Sequence, residues 1–202
     1  MSRVWYGSIN NRIDEGHYYN GTKNNLKEGT DITMYHWSDR TCYYITKVVD
    51  QKCIFVKEYE VIADHHMPGG TGHQNWLYFK DEKEAQNYRN ELVNESIFPK
   101  DMYQPLDEVK VSEPQEWVYR YNKWQRVERF DLDRWNRVVE RTKSDIKNPE
   151  ENIDKVENLA MYYCKITEED LAKIKAGKTV NKYYPLDSVS FGVKDYYYDW
   201  EF

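Results

Sequence analysis

The chain has 202 residues and a net charge of −6, enough sequence for one sizeable domain or two small ones. This acidic balance argues against double-stranded nucleic acid as a partner, because such a partner needs a basic surface to neutralise its phosphates. No stretch approaches the roughly 20 apolar residues that a membrane-spanning helix needs, so we expect no membrane association.

The beginning of the chain and its cysteines bear on the compartment. Residues 1–8 carry one arginine with no apolar run behind it, so we predict no signal peptide and a cytoplasmic protein. The three cysteines, Cys42, Cys53 and Cys164, form neither a Cys-x-x-Cys pair nor an even set. This usage fits a reducing compartment.

Aromatic residues are the unusual feature of the composition, with 19 Tyr and 7 Trp against 6 Phe. Tyr and Trp bury an apolar ring that ends in a polar tip. Each ring is therefore either part of the core or a candidate for stacking on a flat ligand or a partner protein.

After about 30 polar residues, the sequence predicts three β-strands, at 31–37, 41–49 and 53–62, joined by short polar turns. Near its turn, the third strand carries apolar side chains on both faces. A strand with one face in solvent would alternate regularly between apolar and polar residues. We therefore predict a small curled or barrel-like antiparallel sheet, although burial under helices on both sides would leave the same pattern.

A strand at 76–79 and a helix beginning at Asp81 follow. Asp81 is a good N-cap, and Ala85, Tyr88 and Leu92 share one face of the helix. Residues 95–114 contain three prolines and form the best candidate boundary. We predict either two lobes, a β-rich lobe with one helix at 1–112 and a second lobe at 113–202, or one compact domain.

The second lobe should contain a hairpin, 116–121 with 124–130, then three helices and two strands, 178–184 and 189–193. An apolar stripe marks the first helix: Leu132, Trp135, Val138, Val139 and Ile146. The second should begin at Asn148-Pro149 and bury four residues: Ile153, Val156, Ala160 and Tyr163. The third helix should begin with a cap at 167–170, carry Leu171 and Ile174, and end at Gly177. The predicted class is α+β, with a helical lobe of three to four helices.

The loop from Asp64 to Asn75 is the first candidate site. Its histidines, His65, His66 and His73, are weak candidates for a metal because no zinc-motif spacing is present. Its glycines allow backbone N–H groups to surround an anion, with Gly70 and Gly72 supplying the freedom, and His73 and Gln74 could add donors. A loop that only connects two strands is the alternative.

Two predicted hairpin tips combine aromatic and basic side chains. Trp37, Asp39 and Arg40 lie at the first, and Arg120 and Trp124 at the second. Arginine binds phosphate or carboxylate through a forked geometry, and a neighbouring ring can stack on a base. The alternatives are an Asp39–Arg40 pair that stabilises the turn and ordinary strand packing.

Support for catalysis is weak. The sequence has neither a Gly-x-Ser-x-Gly elbow nor a cysteine with an evident histidine partner. The 35 acidic residues make carboxylate pairs uninformative. We assign no catalytic residue and no cofactor, lean against an enzyme, and keep a metal-dependent hydrolase acting through the histidine loop as a third hypothesis.

Four segments carry a family resemblance: 35–40 with Tyr44, 69–74, 116–124 and 191–199. Together they resemble a family of uncharacterised proteins from tailed bacteriophages and prophages. The likeness covers the strand-rich parts and leaves out the helices between 131 and 176. It implies a small cytosolic phage protein made in an infected bacterium, and it transfers no activity or fold.

These features predict a non-catalytic protein that captures a nucleotide-like small ligand to blunt a host defence signal. The aromatic, acidic end of the chain, 195–202, adds Tyr197 to the expected ligand contacts. That end either docks into the core or covers a pocket in a neighbouring subunit, so a homo-oligomer remains open. The alternative is a protein–protein inhibitor of a host defence protein, acting through an acidic, DNA-like surface.

Overall fold

The computed structural model describes residues 26–36, 39–64, 75–95, 113–121, 123–186, 188–192, 194 and 196. Nine strands are present in these ranges: β1 Asp31–Tyr35, β2 Arg40–Asp50, β3 Cys53–Glu58, β4 Glu60–Ala63, β5 Trp76–Phe79, β6 Gln115–Arg120, β7 Lys123–Phe130, β8 Val180–Pro185 and β9 Ser188–Phe191. Four α-helices accompany them: α1 Glu82–Asn94, α2 Leu132–Thr142, α3 Ile153–Cys164 and α4 Glu168–Lys175. Short 3₁₀ turns lie at Lys143–Asp145 and Pro149–Glu151.

Seven strands form one curled antiparallel sheet in the order β8-β7-β6-β3-β2-β1-β9, and β4 pairs with β5 separately. The curl has a local cause in β2, where the register against β3 shifts between Ile45 and Lys47 and again between Val48 and Asp50. Such irregularities bend a strand and increase its twist. The predicted α+β class, with a curled sheet and a helical lobe, is confirmed.

The third predicted strand, 53–62, is in fact two strands in two different sheets. The break falls at Tyr59, whose backbone N–H donates to the carbonyl of Cys42 at 3.0 Å. Beyond that bond the chain leaves β2 and pairs with β5, with Glu60 opposite Phe79. Apolar residues occur on both sides of Tyr59, at Val56 and Val61, so the sequence did not mark this change of pairing partner.

The described structure divides into two compact units, one formed by Met1–Gln125 and Pro185–Phe202 and the other by Arg126–Tyr184. These units divide the chain elsewhere than at the expected boundary near residue 112. The hairpin strand β6 belongs to the first unit because it hydrogen-bonds to β3, with Cys53 opposite Val118.

The core of the first unit lies on one face of the sheet. Its fully buried members are aliphatic and aromatic side chains from six strands: Ile32, Ile45, Ile54, Val56, Trp117, Trp124 and Phe191. A smaller cluster lies between α1 and the β4–β5 pair, where Ala85 and Leu92 pack against Ile62. The predicted N-cap of α1 is confirmed, since the Asp81 side chain accepts a hydrogen bond from the N–H of Lys83.

The second unit has its own core, built from β7 and the three helices: Phe130, Trp135, Ala160, Ile166, Leu171 and Ile174. The predicted cap of α4 is confirmed as a reciprocal capping box between Thr167 and Asp170. The predicted start of α3 is wrong by a few residues. Asn148 adopts a left-handed conformation before Pro149, and the helix begins only at Ile153.

Four predicted core residues of the helical segment lie outside its core. Leu132 is 42% exposed, and Ile153 and Tyr163 are each 53% exposed. The buried residues of α3 are Val156 and Ala160. Ile146 lies beyond α2 in extended backbone. No helix in the described part of the chain has the length and apolar character needed to cross a bilayer.

Candidate functional site

The β4–β5 hairpin holds the ends of the glycine–histidine loop. Ala63 lies opposite Trp76, and the backbone N–H of Asp64 donates to the carbonyl of Asn75 at 2.9 Å. The predicted loop residues themselves lie outside the described residues: His65, His66, Gly70, Gly72, His73 and Gln74. Within the described ranges, no group of three His, Cys, Asp or Glu side chains could hold a metal ion.

Three tyrosine rings and two lysines come together where this hairpin meets β2, and we call them the tyrosine–lysine cluster: Tyr44, Tyr59, Tyr78, Lys80 and Lys194. The ring centroids of Tyr44 and Tyr59 are 4.9 Å apart, and those of Tyr59 and Tyr78 are 5.8 Å apart. The Lys80 ammonium lies 5.0 Å from the Tyr44 centroid. The Lys194 ammonium lies 4.9 Å from the Tyr78 centroid and 5.4 Å from that of Tyr59. These distances are in the range of cation–π contacts.

Hydrogen bonds fix the first two rings. The Tyr59 hydroxyl donates to a carboxylate oxygen of Asp31 at 2.5 Å, and the Tyr44 hydroxyl donates to the carbonyl of Lys80 at 3.1 Å. Burial, reinforced by the bond to Asp31, raises the pKa of Tyr59 far above its usual value. Burial also raises the pKa of Tyr44. Both hydroxyls therefore stay protonated at neutral pH and act as donors.

The segment after β9 completes the cluster. The N–H of Gly192 donates to the carbonyl of Asp31 at 2.7 Å, and the N–H of Tyr196 donates to the Tyr78 hydroxyl at 2.9 Å. The Tyr196 ring lies edge-on to Trp76, with centroids 4.8 Å apart. Tyr196 therefore contacts β5 in the same molecule, and the rest of 195–202 lies outside the described residues. Tyr197 lies outside the described residues.

Carboxylates of Asp31, Asp81 and Glu82 lie near the tyrosines of the cluster, but in the described structure the two lysines are not paired with them. Lys80 and Lys194 are exposed, and no carboxylate among the described residues pairs with either one. Nearby Lys57 differs, because it forms a half-buried ion pair with Glu82 at 3.5 Å. Two exposed ammonium groups beside stacked rings can bind a flat molecule that carries negative charge.

The first predicted hairpin tip lies at the same end of β2 as this cluster. Arg40 begins β2, four residues before Tyr44, and its guanidinium lies 5.7 Å from the Tyr35 centroid. The carbonyl of Asp39 accepts the N–H of His36 at 2.8 Å, which closes the turn. Trp37 lies outside the described residues.

The second predicted tip is at the opposite end of β2. The N–H of Tyr119, the residue before Arg120, donates to the carbonyl of Lys52, which follows the last residue of β2. Ten residues of strand therefore separate Arg120 from Arg40, roughly 30 Å. One small ligand cannot contact both arginines, so Arg40 and Arg120 do not belong to one binding site.

Trp124 is a core residue. Its side chain is fully buried, with its ring centroid 5.3 Å from Phe191 and 5.6 Å from Tyr119. A ligand cannot stack on a ring that the protein already covers, so we remove Trp124 from the ligand-contacting set. The alternation of aromatic and basic residues in this hairpin was strand packing.

Sequence reasoning missed every member of the cluster as a ligand contact, since Tyr44 was named only with the segments that carry the family resemblance. One signal was available in β5, where Trp76, Tyr78 and Lys80 alternate and therefore share one face of a strand. No family model, curated protein or solved structure matches this chain.

Proposed function

We propose that this protein binds a nucleotide-like small ligand at the tyrosine–lysine cluster and withholds it from other proteins without changing it chemically. The observation that carries the proposal is the pair of lysines, Lys80 and Lys194, which lie against three tyrosine rings without a carboxylate partner in the described structure. An aromatic base has rings to stack on, and its phosphates have two ammonium groups to meet.

The spacing of the groups supports a ligand with more than one charge. Lys80 contacts Tyr44 and Tyr59, whereas Lys194 contacts Tyr59 and Tyr78, so Tyr59 lies between the two ammonium groups. A dinucleotide or a nucleoside diphosphate offers a second phosphate to the second lysine. Cyclic dinucleotides and ADP-ribose derivatives have this chemistry.

The state of the tyrosine hydroxyls supports binding rather than catalysis. A tyrosine that attacks a substrate or removes a proton needs a lowered pKa. The pKa of Tyr59 is raised instead, first by burial and then by its bond to Asp31. This hydroxyl positions the ring and keeps its proton near neutral pH.

The resemblance to phage and prophage proteins gives the proposal its setting. A phage protein that removes a signalling nucleotide in an infected bacterium would counter a host defence system, and tight binding alone would achieve that. The cytoplasm of the infected cell is the compartment where such a ligand forms.

Two measurements test the proposal. Denaturing the protein purified from bacteria, followed by mass spectrometry, should release a phosphate-bearing small molecule if one co-purifies. Calorimetry of ligand-free protein against cyclic dinucleotides and ADP-ribose derivatives should give micromolar or tighter binding for at least one of them. No binding across that panel would contradict the proposal.

A protein–protein inhibitor is the second candidate, and the exposed tyrosines of α3 favour it. Tyr162 and Tyr163 are 79% and 53% exposed, and their ring centroids are 6.1 Å apart. Exposed tyrosines are enriched among the residues that dominate protein interfaces. A stoichiometric host protein that wild type captures and the double variant Y162A/Y163A does not would favour inhibition over ligand capture.

A further inference from the structure

The second unit contains a separate group of cations around a single carboxylate, which we call the arginine cluster: Arg126, Glu128, Arg134, Lys165 and Tyr184. One guanidinium nitrogen of Arg126 lies 2.6 Å from one carboxylate oxygen of Glu128. A guanidinium nitrogen of Arg134 lies 2.7 Å from the other oxygen. Glu128 therefore holds the two arginines side by side, one on each oxygen.

Most hydrogen-bonding capacity of the two arginines is unused among the described residues. A guanidinium carries five N–H donors, and Glu128 accepts from one nitrogen of each. The Arg126 Nε atom is buried and has no hydrogen-bond partner in the described structure. Both arginine side chains keep about two-fifths of their surface exposed, 41% and 40%, although the Arg126 Nε atom itself is buried.

Lys165 and Tyr184 extend the positive region. The Tyr184 ring centroid lies 5.7 Å from the Arg126 guanidinium and 5.6 Å from the Lys165 ammonium. Lys165 reaches it from the end of α3, where its backbone turns into the left-handed conformation. The Tyr184 hydroxyl donates to the carbonyl of Cys164 at 2.6 Å, which fixes the ring in place.

The described charged residues near the arginine cluster do not neutralise its excess positive charge. Lys182, two residues before Tyr184, pairs with Asp170 at 2.8 Å, so those two groups balance each other. Arg126 and Arg134 then share the single carboxylate of Glu128, and Lys165 adds a third cation at the Tyr184 ring. Stabilising packing alone would not require a third cation, nor two guanidiniums on one carboxylate.

We propose that Arg126 and Arg134 form a binding site for a phosphate group, with Lys165 at its edge and Glu128 aligning the two guanidiniums. Forked guanidiniums match the oxygens of a phosphate, and a dianionic phosphate balances the excess charge. The ligand class is inorganic phosphate or a small phosphate monoester. This site is independent of the tyrosine–lysine cluster, which lies in the first unit.

The test is a titration of the whole protein with inorganic phosphate and, in a second arm, phenyl phosphate, followed by the backbone amide NMR signal of residue 126, which every variant retains. We expect this signal to shift saturably, with the stronger arm showing whether free phosphate or a monoester is preferred. The variant R126Q/R134Q should lose at least tenfold in affinity. The variant R126K/R134K keeps both positive charges but lacks the forked guanidinium groups, so its affinity for phosphate should fall several-fold.

R141Q is the matched control, because Arg141 is exposed on the same helix as Arg134 but makes no contact with Glu128. Its affinity should equal that of wild type, as should that of K80Q/K194Q, which changes only the first unit. Equal affinity for R126K/R134K and wild type, or no saturable shift with either probe, would overturn the proposal. Thermal unfolding of each variant checks its fold, and the lysine variant provides the test if the glutamine variant does not fold.

Discussion

Tyr59 and Asp31 are joined by a hydrogen bond of 2.5 Å from the tyrosine hydroxyl to the carboxylate. This bond connects the residue where the chain leaves the large sheet to the first residue of β1. It also fixes the central ring of the tyrosine–lysine cluster. The pair is therefore important both for the fold and for the proposed site.

Replacing Tyr59 by Phe should lower the free energy of unfolding by about 1.5–3 kcal/mol, the range for hydrogen bonds to charged groups. The ring stays in place, so ligand affinity should change much less than stability. Urea unfolding measures the effect. Y121F is the control, because Tyr121 is 83% exposed and its substitution should cost nothing measurable. Equal stability of Y59F and wild type would show that the bond contributes little.

Because of Tyr184, we predict that the protein loses stability at alkaline pH. Burial, followed by the charge of Glu128, raises the pKa of Tyr184 to about 12. The folded state therefore keeps this proton to a higher pH than the unfolded state, whose tyrosine ionises near pH 10. The free energy of unfolding should fall between about pH 10 and 12. In Y184F the fall should be smaller, and an unchanged slope in urea unfolding across that range would contradict this assignment.

Asp170 predicts the opposite dependence at acidic pH. Its hydrogen bond from Lys182 is the main cause that lowers the pKa of the carboxyl below its usual value. Stability from this group is present above about pH 4 and is lost as the pH falls through the folded-state pKa. D170N also removes one half of the capping box and should cost about 1–2 kcal/mol at pH 7.

The control for D170N is E169Q on the same helix. Glu169 is 80% exposed and, among the described residues, pairs with Lys173 one turn away, so its substitution should cost well under about 1 kcal/mol. The difference between D170N and E169Q should shrink as the pH is lowered towards 3. A constant difference down to that pH would place the effect of Asp170 elsewhere.

Substitutions at Trp124 and Tyr78 distinguish a residue of the core from a residue that contacts the ligand. W124F leaves a cavity among Tyr119 and Phe191 and should lower the free energy of unfolding by about 1–3 kcal/mol. Ligand affinity should stay within about threefold of wild type. Y78L removes one of the three tyrosine rings of the cluster, so its affinity for the ligand should instead fall roughly tenfold or more. The reverse pattern would return Trp124 to the site.

Local signals in the sequence predicted much of the fold because they act over a few residues. The caps at Asp81 and Thr167 and the turn at Asp50 depend on side chains next to the backbone groups they bind. The break at Tyr59 depends on Cys42, which is distant in sequence, and no local pattern marks it.

The candidate site was harder to predict for the same reason. Its members come from β2, the β3–β4 junction, β5 and the segment after β9, and with 19 tyrosines in the chain no single ring stands out. From its rings and cations the sequence predicted a ligand with an aromatic base and phosphate, which stays a prediction. It assigned that chemistry to the hairpin tips, because neighbouring residues such as Arg120 and Trp124 are easier to recognise than a cluster assembled by the fold.

The comparison that tests the central claim most directly is the affinity of K80Q/K194Q against that of K83Q, measured by calorimetry with the tightest-binding member of the nucleotide panel. Lys83 is exposed near the start of α1, and no cation–π or ion-pair contact involves its ammonium among the described residues, so K83Q controls for the loss of a surface charge. Each cluster lysine should contribute about 1.5 kcal/mol through a charge-assisted bond, so the double variant should bind roughly 100-fold more weakly. K83Q should bind as wild type does. Equal affinities for K80Q/K194Q and K83Q would show that the ligand does not bind at the tyrosine–lysine cluster.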